Sequence, residues 1–198
     1  MNERGGSPAT SRRALWLLAL LFFAPLLLSF WLYYVSSWRP AGRTNHGELI
    51  EPPRPLPAIA AAPAGGSTPA ATVFREQWSL VYVGDGGCDA GCRQVLHTMR
   101  QTHASLGRLG ARLQQVFLVN AGCCDQAYLA REHPELRVID ASGPESAGLL
   151  GNFPRDRLGE SLFIVDPLGN LMMRYDTRLD PRGHRQDLKK LLELSHVG

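Results

Sequence analysis

The chain has 198 residues, of which 44% are hydrophobic and 20% charged, with a formal net charge of +3. That length suits one membrane segment and one modest globular domain. The scattered arginines form no basic stripe, which argues against a nucleic-acid partner. Four cysteines are too few for a disulfide scaffold, but they fall into two close pairs, Cys88/Cys92 and Cys123/Cys124.

Residues 14–35 read ALWLLALLFFAPLLLSFWLYYV, 22 positions without a charge. As a helix this run is about 33 Å long, enough to cross a hydrocarbon core of roughly 30 Å. Pro25 is tolerated in such a helix. Trp16 at one end, and Trp31, Tyr33, Tyr34 and Trp38 near the other, suit the two membrane interfaces. Arg4, Arg12 and Arg13 precede the run, so the positive-inside rule places residues 1–13 in the cytoplasm. Arg39 and Arg43 follow it and keep that bias small. A cleaved signal peptide has a shorter apolar core, roughly 7–15 residues, that ends in small residues. This run ends in Trp-Leu-Tyr-Tyr-Val, so it reads as an uncleaved anchor. The rest of the chain then lies outside the cytoplasm. In a bacterium that makes a single-pass inner-membrane protein with a periplasmic domain.

Residues 36–72 hold seven prolines, many alanines and Gly65-Gly66, a composition that cannot bury a core. They read as a tether. Within it, residues 47–57 mix apolar and turn residues, which suits docking on the domain or on a partner.

The folded domain is expected over residues 73–198. Residues 78–83 are an apolar strand. Residues 92–113 place Val95, Leu96, Met99, Leu106, Leu109 and Leu113 at helical spacing, with Gly107 and Gly110 weakening the end. A second strand follows at 115–119, a helix at 125–133 bounded by Pro134, a short strand at 137–140 and a short helix at 144–150. Residues 161–165 and 171–175 flank the turn Asp166-Pro-Leu-Gly-Asn170 as a hairpin. An amphipathic helix at 185–195 closes the chain. Strand–helix–strand units ending in a hairpin and a helix describe an α/β, thioredoxin-like fold, a mixed sheet covered by helices.

Cys88 and Cys92 stand where the first strand hands over to the first helix, after Gly84-Asp85-Gly86-Gly87. A helix start offers unpaired N–H groups and partial positive charge, which lower a thiol's pKa from about 8.5 into a range of roughly 3.5–7.5. The i, i+4 spacing keeps both sulfurs on one face, within reach of a disulfide or a shared soft metal ion. Cys88, nearer the helix start, is expected to be the more exposed and more acidic thiol. It attacks, and Cys92 resolves. The alternative is a structural staple, although so short a loop adds little through chain entropy. Cys123 and Cys124 read either as a second pair able to exchange with the first or as thiols tolerated in a loop. Asp85 reads as a solvated turn residue, and His97, His184 and His196 as surface groups. Of Met172 and Met173, one is expected in the core and one at the surface.

The anchor, the run from Val81 through Cys88 to Cys92, and Phe163-Ile-Val-Asp-Pro-Leu-Gly-Asn170 together resemble the Sco/SenC family. These are membrane-anchored, thioredoxin-like proteins of cytochrome c oxidase assembly and copper delivery. The resemblance covers roughly residues 73–195. It implies Cys88 and Cys92 as redox and Cu(I)-binding residues, and an oxidase subunit or another assembly factor as partner. The family's third copper ligand is a histidine before the hairpin strand. The matching position falls near Leu158, and residues 155–161 contain no histidine, so the chain resembles a divergent subgroup. His97, His103, His133 and His184 are the substitutes to test. Thioredoxin-type exchangers use Cys-x-x-Cys and a proline ahead of the hairpin strand. Here the cysteine spacing is one residue longer, and Glu160-Ser161 stands in the proline's place. The expected function is therefore a Sco-like tethered factor that reduces partner cysteines or carries Cu(I) transiently. The alternatives are a metallochaperone without redox turnover and a non-catalytic tethered module.

Overall fold

The computed structural model describes residues 8–35, 44–57, 73–178 and 182–197. The chain divides into two units between residues 43 and 44. The first contains helix α1 (Pro8–Tyr34), which carries Pro25 inside it. Its span Arg12–Tyr34, 23 residues, is long and apolar enough to cross a membrane. Leu, Phe and Trp side chains are exposed all round this helix, as a lipid-facing segment requires.

The second unit is built on one six-stranded sheet, in the order β1-β6-β5-β2-β3-β4. Its strands are β1 (Glu48–Pro55), β2 (Trp78–Asp85), β3 (Leu113–Ala121), β4 (Leu136–Asp140), β5 (Ser161–Val165) and β6 (Asn170–Asp176). β2, β3 and β4 run parallel, while β5, β6 and β1 add on antiparallel. The helices are α2 (Ala90–Ser105), α3 (Gln126–Glu132), α4 (Ala147–Leu150) and α5 (Gly183–Leu194), with 3-10 turns at Gly107–Arg112, Pro144–Ser146 and Leu158–Glu160. The helix expected over 92–113 therefore breaks after Ser105. Gly107 there takes a positive φ of 56°, at little steric cost for a residue without Cβ.

Successive strand residues point to opposite faces, so β2 feeds two cores. Leu80 and Tyr82 join Cys88, Cys92, Val95, Leu96, Met99, Phe117, Leu188 and Leu192 beneath α2 and α5. Val81 and Val83 join Phe74, Val116, Leu118, Leu149, Phe153, Phe163 and Val165 on the other face. Of the two methionines in β6, Met173 is buried as expected, whereas Met172 is half-buried and packs against the first core instead of standing at the surface.

The reading of 36–72 as a tether is corrected at its centre, where the docking expected of residues 47–57 on the domain takes the form of a strand. Residues 48–55 form edge strand β1 against β6, with Glu48 opposite Arg174 and Pro55 opposite Asn170. Ile50 and Leu56 enter the second core. Prolines are admitted because an edge strand leaves one row of N–H positions unpaired. Of the rest of the expected tether, 36–43 and 58–72 lie outside the described residues, and Thr44–Gly47 leads into β1. His46 and Gly47 there donate their backbone N–H groups to Asp187 of α5 at 2.7 and 3.0 Å.

Candidate redox site

Parallel β2 and β3 end side by side, with Val83 opposite Leu118 and Asp85 opposite Ala121. Beyond β2 the chain turns through Gly86 and Gly87 into α2. Asp85 is exposed, and its Oδ1 accepts the Gly87 N–H at 2.7 Å. Cys88 adopts a φ of +42°, a left-handed conformation that costs a side-chain-bearing residue energy. Its N–H donates to the Asp85 carbonyl at 3.2 Å, and its own carbonyl accepts Arg93 Nε at 3.2 Å. One backbone bond and one from the Arg93 side chain thus hold the strained residue on both sides.

Cys88 and Cys92 are joined as a disulfide, with their Cα atoms 5.0 Å apart. Both expected site residues are therefore brought together. The expected difference in exposure is not found: Cys88 is 3% exposed and Cys92 4%. The i, i+4 spacing turns both sulfurs toward the apolar face of α2, into the core that holds Val95 and Leu96. The helix start is also less open to a thiolate than expected. Asp89 caps it, its Oδ1 accepting the Cys92 N–H at 2.9 Å, so that amide is already satisfied.

The disulfide is reached through a cleft of about 600 Å³ lined by Tyr82, Asp85, Asp89, Gly159 and Glu160. Tyr82 is a site residue that sequence reasoning missed, because in β2 it reads as one more core aromatic. Its ring stacks on Phe117 with centroids 5.4 Å apart. Its hydroxyl reaches the cleft and donates to the Gly159 carbonyl at 3.0 Å. Burial, and then the charge of Asp89, push the Tyr82 pKa up to about 12, so the hydroxyl stays protonated.

Among the described residues, no histidine lines this cleft. His97 is exposed on α2 beside Gln101. The ring of His103 faces the Gly110 and Leu113 carbonyls at 3.0 and 3.1 Å. His133 ends α3 beside Tyr128, 3.4 Å from its hydroxyl. His184 corrects its reading as a surface group. It is 1% exposed and meets Thr102 Oγ1 at 2.6 Å, because the first turn of α5 packs on α2. Leu158, the position matched to the family histidine, packs against the opposite core, whereas Gly159 and Glu160 face the cleft. For a soft Cu(I) ion the cleft offers two sulfurs once the disulfide is reduced. Its other donors are carboxylates and a phenol, hard oxygens poorly matched to Cu(I). The fit to copper is partial.

Cys123 and Cys124 are also joined, with their Cα atoms 3.3 Å apart, in the loop between β3 and α3. Cys123 is exposed and Cys124 half-buried. Asp125 caps α3 by accepting the Tyr128 N–H at 3.1 Å.

Residues 78–195 match the family described as a transmembrane-like, thioredoxin-like, C-terminal domain. Among solved structures, apo Sco1 from Thermus thermophilus has a TM-score of 0.56 at 19% identity, covering 77% of this chain and 99% of that one. Copper-bound yeast Sco1 gives 0.54 at 16% identity, covering 62% and 82%. A SCO1/SenC family lipoprotein from Bacillus anthracis gives 0.54 at 12%, covering 72% and 98%. At these identities the likeness is one of fold. Comparison with curated proteins found no match.

Proposed function

Because the chain belongs to the transmembrane-like, thioredoxin-like C-terminal domain family and carries the Sco fold, we propose that it is a membrane-tethered factor for assembly of cytochrome c oxidase. Its α1 anchors it in a bacterial inner membrane, and its folded unit works in the periplasm. The observation that carries the reading is the Cys88–Cys92 bond at the head of α2, lining a cleft. In the reduced state the Cys88 thiolate attacks a disulfide of the partner, and the released partner sulfur leaves as thiolate. Cys92 then attacks Cys88 Sγ in the mixed disulfide. The Cys88–Cys92 bond forms, and the partner gains two electrons and, with protons from water, two thiols.

The acidic rim and the missing nitrogen donor make Cu(I) a passing cargo of the reduced pair and thiol exchange its main chemistry. The partner, an oxidase subunit or another assembly factor, inserts its cysteines into the cleft, since neither sulfur projects from the surface.

The test is assembly of the oxidase copper site in cells lacking this protein. Restoration is expected from the full chain and not from Cys88→Ser/Cys92→Ser. Restoration by that double variant would replace this reading with a non-catalytic tethered module. Tight, stoichiometric Cu(I) binding that vanishes in Cys88→Ser would replace it with a metallochaperone.

A further inference from the structure

The two cysteine pairs differ in one respect that bears on how the first is recharged. Cys88 and Cys92 are buried, whereas Cys123 stands in solvent with Cys124 half-covered beside it. Their loops also touch. The Gly86 N–H donates to the Ala121 carbonyl at 2.8 Å. A Cβ added at Gly86 would collide with the Gly122 carbonyl and stand 2.6 Å from Cys123 Cα. Cys124 packs against the apolar cluster that contains Cys88 and Cys92. From the other side, Arg93 donates to the Cys88 carbonyl while its guanidinium lies 4.6 Å over the Tyr128 ring of α3. Side chain and backbone thus tie the two loops together.

Adjacent cysteines close a very small ring around a peptide bond, far from the separation a disulfide prefers, and such bonds are the more readily reduced. An exposed, easily opened disulfide whose loop abuts the loop of a buried one is a port. We propose that Cys123 and Cys124 form a second redox centre, through which an external thiol reduces the Cys88–Cys92 bond. This rests on the thiol-exchange reading above.

One external thiolate attacks the Cys123–Cys124 bond and a second releases the mixed disulfide, so two external thiols become one disulfide and the adjacent pair becomes a dithiol. One of these thiolates attacks the Cys88–Cys92 bond, and one sulfur of that pair leaves as thiolate. The second thiol of the adjacent pair resolves the intermediate, restoring Cys123–Cys124 and freeing Cys88 and Cys92 as thiols. Two electrons pass from the external thiols to the buried pair. The small ring favours loading first, and excess thiol together with the partner's oxidation of Cys88 and Cys92 draws the transfer onward.

The full chain in detergent micelles, with reduced glutathione as probe and alkylation followed by peptide mass mapping, tests this. Cys123 and Cys124 are expected to become alkylatable before Cys88 and Cys92. In Cys123→Ser/Cys124→Ser the buried bond should open at least about tenfold more slowly. In Cys92→Ser, air oxidation should link Cys88 to Cys123 or Cys124 as a cross-linked peptide. Opening of Cys88–Cys92 at the wild-type rate in the double variant, or a Cys92→Ser chain with no such link, overturns the port and leaves the proposed function standing. A Cys88–Cys92 bond that no thiol opens overturns both.

Discussion

Asp187, in the C-terminal helix, accepts the backbone N–H of His46 at 2.7 Å and so pins the entry of edge strand β1 to the domain. The same carboxylate takes the Gly47 N–H at 3.0 Å and the Tyr175 hydroxyl at 2.9 Å, and it faces His46 Nδ1 at 3.2 Å. It is 5% exposed. A buried carboxylate with several donors is stabilising as a unit, and removing it strands every donor.

Asp187→Ala should therefore destabilise the domain by about 2–4 kcal/mol, read from chemical denaturation. Burial raises the Asp187 pKa, but the Gly47 amide, the His46 ring, the Tyr175 hydroxyl and the His46 amide outweigh it, so the net shift is downward. A carboxylate whose folded pKa is depressed gives stability that is fully present above its unfolded value, about 4, and is lost as pH falls through the folded one. The wild type should lose stability on acidification below about pH 4. Asp187→Ala should lack that component, and equal acid slopes would refute the assignment.

Tyr82→Phe keeps the ring on Phe117 but leaves the Gly159 carbonyl without its donor at the cleft. A loss of about 1 kcal/mol is expected, with faster opening of Cys88–Cys92 by dithiothreitol as the 158–160 turn loosens. A variant that opens no faster would show that this bond does not close the cleft.

Gly86→Ala places a methyl against the Gly122 carbonyl and Cys123 Cα, both backbone atoms with no rotamer to yield. The expected cost is about 1–3 kcal/mol, with the shift concentrated in the two cysteine loops by hydrogen exchange. Unchanged stability would mean that the loops separate freely.

Glu160→His puts an imidazole at the cleft, where Leu158→His, packed on the other core, does not. Cu(I) titration of the reduced chain with a competing chelator should show tighter binding for Glu160→His by about tenfold or more, and no gain for Leu158→His. Loss of the Glu160–Arg178 pair, 2.7 Å apart and partly exposed, should cost little. The reverse order of affinities would put the missing ligand's place back at residue 158.

Local pattern determined much of this protein. A charge-free run the length of a bilayer, strands of continuous apolar residues, and a glycine turn feeding a cysteine pair into a helix are all features of near neighbours in sequence. They made legible the membrane-length helix, the α/β layout and the nearness of Cys88 to Cys92. What lay beyond reach depended on distant segments. Pro52, Pro53 and Pro55 mark a tether by composition, and only the unpaired edge of β6 lets them stand in a strand. Tyr82 reads as core until Gly159, from a loop 77 residues on, meets its hydroxyl. The burial of both sulfurs needs the sheet on which the apolar face of α2 packs, and the contact of Gly86 with Cys123 follows from β2 and β3 ending side by side. That register is set by the whole sheet and by no stretch of chain alone.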